Sequence, residues 1–279
     1  MTATASPEAA RAAVGQTRPV AFANVMLAEW TKLRSVRSTM WSLLLLVVTT
    51  FGFTALFMWL TVSQWSKSDP AQQQQIVADP VSNILGSGLF LGQLTICVLG
   101  VLVMASEYST GMIRSSLLSV PRRTPMLLAK CVVFAVVVFV VGELVAFGSF
   151  LLGAAILHSK APVTLGDPGV LRAVIGAGLY LSVLGLFSLS IAALVRHTAG
   201  AITGVIGFVL VLAPLTNLLP GTVGKHVHAY LPSEAGHLIA QAHQGPDDVL
   251  SPWQGFGVFC LWTLVLLIAG AYLLNRRDA

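Results

Sequence analysis

The sequence predicts an all-α polytopic membrane protein: six transmembrane helices preceded by an amphipathic helix lying at the membrane surface. Three observations predict it. Hydrophobic residues make up 56% of the 279 residues and charged residues only 10%, against about 25% charged in soluble domains. The mean hydropathy is +0.82, so lipid rather than water must solvate most of the chain. The apolar residues also gather into six runs, each near the roughly 20 residues a helix needs to cross hydrocarbon.

The runs cover residues 41–62, 81–105, 131–157, 170–195, 200–219 and 253–274. Helix breakers or charges bound them, among them Asp79-Pro80, Pro121, Asp167-Pro168 and Pro220-Gly221. The boundary between the fourth and fifth runs rests on Arg196-His197-Thr198, because residues 170–219 are too many for one crossing. Pro214 is expected to kink or break the fifth span near its outer end.

Lys and Arg counts set the orientation. With the N-terminus inside, 12 of the 16 basic residues fall on the cytoplasmic side and 4 on the outer side. Both termini are therefore expected in the cytoplasm, in a plasma membrane. The net charge of +5 fits basic loops facing anionic lipid. Nucleic acid is not an expected partner, because the basic residues form no single cluster with interleaved aromatics.

Residues 1–20 lack the apolar core of a signal peptide and read as a disordered cytoplasmic tail. Residues 21–279 then form a single transmembrane domain. Cys97, Cys131 and Cys260 all fall in or beside apolar runs, so they read as buried hydrophobes rather than a disulfide framework. No loop is long enough for a catalytic domain, since domains rarely fall below about 50 residues. Gly224-Lys225 imitates a phosphate-binding loop, but Leu219 replaces its first glycine and His226 its hydroxyl residue. No catalytic residue and no cofactor is expected, so any ATP must be bound by another chain.

Residues 21–38 read as the surface helix. At 100° per residue, Phe22, Val25, Met26, Trp30, Leu33 and Val36 share a face, with Asn24, Thr31 and Ser35 opposite. Lys32 and Arg34 flank the apolar face, where their stems can snorkel. Glu29 projects into that face. It either pairs with Lys32 along the helix or meets an arginine of the next cytoplasmic loop.

That loop, residues 105–130, opens with Glu107 at the membrane exit and Gly111 four residues on. A short helical piece, residues 112–118, stops before Pro121, and Arg122, Arg123 and Lys130 follow. Such a piece between two spans could pass force from a partner into the membrane, or it could be an ordinary basic inner loop.

Glu107-x-x-x-Gly111, Leu117, Pro121-Arg122-Arg123 and Lys130 resemble the signature of the ABC type-2 exporter permeases. Glu29-Trp30-x-Lys32-Leu33-Arg34 is similar to that family's elbow helix, particularly in actinobacterial permeases, and Pro232-Ser-Glu-Ala-Gly236 is also familiar from it. The likeness runs from about residue 25 to 275. It implies six spans, cytoplasmic termini, a separate cytoplasmic ABC ATPase subunit gripping the 106–125 loop, and a second permease subunit, identical or different. On it, Glu107, Gly111, Arg114, Leu117, Pro121, Arg122 and Arg123 are the expected ATPase-coupling residues. Glu29, Trp30, Lys32 and Arg34 are those of the interfacial helix. The outer segment is short, unlike permeases with large outer domains.

Within the spans, Glu143 is a functional candidate because an ionisable group in lipid is costly. The structural alternative is a neutral or hydrogen-bonded carboxyl closing a helix contact, with Arg172 as a possible partner. Gln93 and Thr95 are expected to bond between helices. Gly88-x-x-x-Gly92 and Gly200-x-x-x-Gly204 permit close helix approach. Residues 220–252 hold His226, His228, His237 and His243 with Glu234, Asp247 and Asp248. Their spacing matches no closed metal site, and the segment reads as a short re-entrant or surface helix. The function expected is the membrane subunit of an ATP-driven exporter. The alternatives are a secondary carrier using Glu143 and a non-transporting scaffold or sensor.

Overall fold

Asp-Pro pairs set two of the helix starts. In each, proline occupies the first turn, where its missing N–H costs nothing, and the aspartate accepts from a free backbone N–H. Asp69 caps Ala71 N at 2.9 Å, and Asp79 caps Ser82 N at 3.0 Å. The computed structural model describes residues 21–112, 123–216, 218–245 and 248–276.

Helix α1 is Phe22–Ser35. Span 1 is α2, Arg37–Ser63. After a short 3-10 turn at Trp65–Lys67 come α3, Pro70–Ala78, and α4, Pro80–Ser109, which is span 2. Span 3 is α5, Arg123–Leu157, and span 4 is α6, Val170–Val195. Span 5 combines α7, Thr198–Ile206, a π-helical stretch at Gly207–Leu212, and α8, Ala213–Thr216. Then follow α9, Gly221–Ala229, α10, Pro232–His237, a 3-10 turn at Leu238–Ala240, and span 6, α11, Pro252–Arg276. No strand occurs among the described residues. Among the described residues six helices are long and apolar enough to cross a membrane, and they overlie the six runs read from the sequence. The first 20 residues lie outside the described part.

The described chain enters and leaves at one end of the bundle, here the near end; the other is the far end. Span 4 ends at Arg196, whose left-handed backbone (φ 56°) no other described non-glycine residue shares. His197 then caps span 5 by accepting from Gly200 N at 3.1 Å. This is the break expected at Arg196-His197-Thr198. Span 5 carries its irregularity just before Pro214, in the π-helical turn, as a residue without an N–H leads one to expect.

Spans 4 and 2 are the centre: 67% and 61% of their most apolar windows are buried, against 22% for spans 1, 5 and 6. Small residues let neighbours close on them. Gly142 and Gly178 bring spans 3 and 4 together: a Cβ on Gly142 would lie 3.5 Å from the Gly178 backbone. Gly88 and Gly92 lie under Thr50 and Thr54 of span 1, so this glycine pair is spent within the chain. Gly204, by contrast, meets nothing within 4 Å. At the far end α10 and its 3-10 turn fold back between spans 4 and 6. Pro232, Ala235, Gly236, Ile239 and Ala240 are buried there, and the carbonyls of Ile239 and Ala235 rest on Gly176 and Gly255.

Gly176 faces rigid backbone, whereas Gly52 has nothing within 4 Å. Gly176→Ala should destabilise the detergent-solubilised protein by about 1–3 kcal/mol. Gly52→Ala should be neutral or slightly stabilising, since alanine favours a helix by up to about 1 kcal/mol over glycine. Thermal unfolding followed by size-exclusion fluorescence would check both.

Candidate functional site

Four charged side chains converge at the near end, from three elements distant in sequence. Glu29 lies on the inward stripe of α1 with Val25 and Leu33. Glu107 lies in the last turn of span 2, and Lys130 two turns into span 3. Lys130 Nζ donates to Glu29 Oε2 at 2.6 Å and to Glu107 Oε1 at 2.8 Å. Lys32 Nζ donates to Glu29 Oε1 at 2.7 Å and to Glu107 Oε1 at 3.1 Å. Glu29, Glu107 and Lys130 are each at most 3% exposed.

Among the described residues, two carboxylates meet two ammonium groups, so the charges balance. Neutrality is what permits the burial, because an unpaired ion there would carry a desolvation penalty of several kcal/mol. Burial alone would lower the Lys32 pKa, but the carboxylates of Glu29 and Glu107 outweigh it and hold the ammonium above its ordinary 10.5. A raised pKa stabilises fully below the unfolded value and is lost only as pH rises through the folded one. The Lys32 contribution is therefore constant through the physiological range.

Glu29 pairs with Lys32 along its own helix, and it also reaches across to span 3. Among the described residues the distant partner is a lysine, Lys130. Lys32 does not snorkel outward; it turns into the cluster. Trp30 and Arg34 remain exposed on α1, as does Phe22, so the buried stripe is narrower than the apolar face drawn from periodicity. Gly111 follows the end of span 2 with φ +70°, a left-handed stop that suits glycine. Arg114, Leu117, Pro121 and Arg122 lie outside the described residues, as does the side chain of Arg123.

A second tie closes the near end. Arg196 Nη2 donates to Leu273 O of span 6 at 3.1 Å, and its guanidinium lies 5.3 Å from the centre of the Tyr108 ring of span 2. Sequence alone marked Arg196 only as a break between spans. Its attraction to an aromatic face was not legible without the fold.

Deeper in the bundle, Gln93 Oε1 accepts from Tyr180 OH of span 4 at 2.9 Å, an interhelical bond. Thr95 departs from the expectation. Its hydroxyl donates to Leu91 O in its own helix at 3.3 Å, the local alternative always open to threonine. Arg172 is not the partner of Glu143 either; its Nη2 donates to Ala242 O at 2.9 Å, tying span 4 to the far-end segment. Both Glu143 oxygens are buried without a hydrogen-bond partner among the described residues. The carboxyl packs onto Gly178, where a Cβ would overlap it.

The cluster generates a graded prediction. Lys130→Met leaves two buried carboxylates sharing one ammonium and should destabilise by about 3–5 kcal/mol. Lys32→Met should cost distinctly less, because Lys32 keeps 27% of its side chain exposed. Thermal unfolding of both variants in the same detergent would order them.

The comparisons with known proteins bear on this geometry. The model of a family described as ABC-2 family transporter protein matches residues 25–214, which take in most of α1, the first four spans, nearly all of the fifth and all four charges of the cluster. No curated protein matches the chain. The family match covers more than half of the chain, and the matched region carries its apolar spans in membrane-crossing helices: the chain belongs to the ABC-2 family of transporter proteins and is a multi-pass membrane protein.

Proposed function

We propose that the chain is the membrane-spanning permease subunit of an ATP-driven exporter. ATP is bound and hydrolysed by a separate cytoplasmic ABC ATPase, and two permease subunits together form the translocation path. The near end faces the cytoplasm, in line with the excess of basic residues there. One observation carries the reading: the buried cluster of Glu29, Lys32, Glu107 and Lys130 binds α1 to both flanks of the 106–125 loop. A loop gripped by an ATPase can move spans only if its two ends are fixed to them. Here the last turn of span 2 and the first turns of span 3 are held by one lysine. In this reading α1 lies in the inner leaflet interface as the elbow, with Trp30 and Arg34 toward lipid headgroups.

Magnitudes favour a positioning role for the cluster over a stabilising one. A buried ion pair replaced by apolar residues of like volume is often neutral or even more stable. What four paired charges supply is a single register between three helices, since any slip strands an ion in an apolar setting.

A second reading, a secondary carrier, is favoured by one feature: the unpartnered Glu143 carboxyl within span 3. The permease reading expects Glu143→Gln to express and transport nearly as the native chain does, because the amide keeps the shape against Gly178. Loss of transport with normal folding would favour the carrier. The loop itself is tested through its partner. Arg114→Glu and Leu117→Asp should each weaken association with the ATPase by about 2–4 kcal/mol, while membrane insertion is unchanged because the spans are intact. Co-purification of the ATPase and coupled ATP hydrolysis measure this; normal binding and coupling in both variants would refute the loop's role.

A further inference from the structure

A cavity of about 520 Å³ opens at the far end, between α9, α10 and the end of span 5. Its polar lining includes Thr216, Lys225, His228, Glu234, His237 and Asp248. We propose that it is a binding site for one hydrogen-bond-donating cation, a proton or the ammonium group of an organic amine, held between His228 Nε2 and Glu234 Oε2.

The neighbours of His228 bear on its tautomer. Thr216 Oγ1 gives its only hydrogen to Ala213 O, at 2.7 Å. His228 Nδ1 lies 2.9 Å from that hydroxyl oxygen and 3.2 Å from the same carbonyl. The Ala213 carbonyl can only accept, so its place beside Nδ1 favours a hydrogen on that nitrogen, which the Thr216 oxygen can also accept. In the neutral ring the other nitrogen then presents a lone pair. Nε2 lies 3.4 Å from Glu234 Oε2. Two acceptors at that distance repel unless a donor lies with them.

Charge balance asks for the same thing. Glu234 and Asp248 bring two negative charges to the described lining and Lys225 one positive. Burial lowers the His237 pKa, against the weaker pull of Glu234, which favours the neutral ring. Asp248 also accepts from Gly245 N at 2.7 Å, and His226 on α9 is turned to Thr222 O of its own helix. With His228 neutral, carboxylates outnumber ammonium groups among the described lining residues.

A proton on Nε2 supplies a positive charge as an imidazolium–carboxylate pair. A primary ammonium supplies it by donating one hydrogen to Oε2 and another to Nε2. Leu219 and Leu238 offer an apolar wall for the arm of such an amine. The two occupants exclude each other, so acid should weaken amine binding. Either one joins α9 to the re-entrant α10. Trp262 reports on this, because its Nε1 donates to Tyr230 O, the residue capping α9, at 3.1 Å.

The test uses the purified full chain in lipid nanodiscs, with no ATPase and no transport, so its failure leaves the permease reading untouched. The probe is n-hexylamine, titrated calorimetrically against empty-disc blanks, beside hexyltrimethylammonium, which has no N–H. At about pH 8, above the histidine range, hexylamine should saturate at one per chain and bind at least tenfold more tightly than the quaternary cation, roughly one lost charge-assisted bond. Glu234→Gln, and titration at about pH 5.5, should each weaken it by at least tenfold. His228→Asn keeps a donor toward Thr216 but removes the Nε2 acceptor, and should do the same. If hexylamine does not bind but Trp262 fluorescence changes between those pH values, and both variants abolish the change, the proton alone is the occupant. No preference for hexylamine, together with a fluorescence titration that both variants leave unaltered, would overturn the site.

Discussion

The join of α1 to spans 2 and 3 depends on one lysine. Lys130 sits where span 3 enters the apolar layer, is 3% exposed, and holds a carboxylate from each of two other elements. Removing its charge from water is tolerable only because Glu29 and Glu107 arrive with correct geometry. That requirement fixes the depth of span 2 against span 3 and the angle at which α1 leaves span 1. Apolar packing alone would leave both adjustable, since one leucine-rich face accepts several registers.

From that anchor the rest of the bundle follows as close packing around span 4. Glycines at 142 and 178 bring spans 3 and 4 into near-backbone contact, and Gly176 admits the far-end turn. The Tyr180–Gln93 bond joins spans 4 and 2 midway. Arg196 joins the turn after span 4 to spans 2 and 6. The central helix is thus tied at both ends and in the middle. In the proposed transport cycle, motion imposed at the near end would reach the far-end segment through span 4 as a unit. Span 5 is looser, with a π-helical turn and Gly204 facing open space.

The spans were legible because hydrocarbon thickness and backbone hydrogen bonding leave few solutions. Even the short break at Arg196 could be read from length alone. Glu29 was legible as an anomaly, a carboxylate in an apolar stripe. Its distant partner was not, because Lys130 is 101 residues away and stood out only as the last residue of the loop signature. Thr95 and Arg172 were misplaced for a related reason. Each has a backbone carbonyl in reach, Leu91 O or Ala242 O, and a pattern of side chains carries no information on carbonyls. The His228–Glu234 pair was visible only as a scatter of polar residues, until α9 and α10 folded onto one cavity.

The central claim is that Glu29 and Lys130 act as one unit across the chain, and a double-mutant cycle tests it most directly. Unfolding free energies of the native chain, Glu29→Gln, Lys130→Met and the double variant give the coupling between the two sites. Residues in one ion-pair network couple by about 0.5–3 kcal/mol. The account predicts the upper part of that range, with the double variant less destabilised than the two single losses added together. Strict additivity, within about 0.3–0.5 kcal/mol, would mean that the two groups do not depend on each other, and would contradict it.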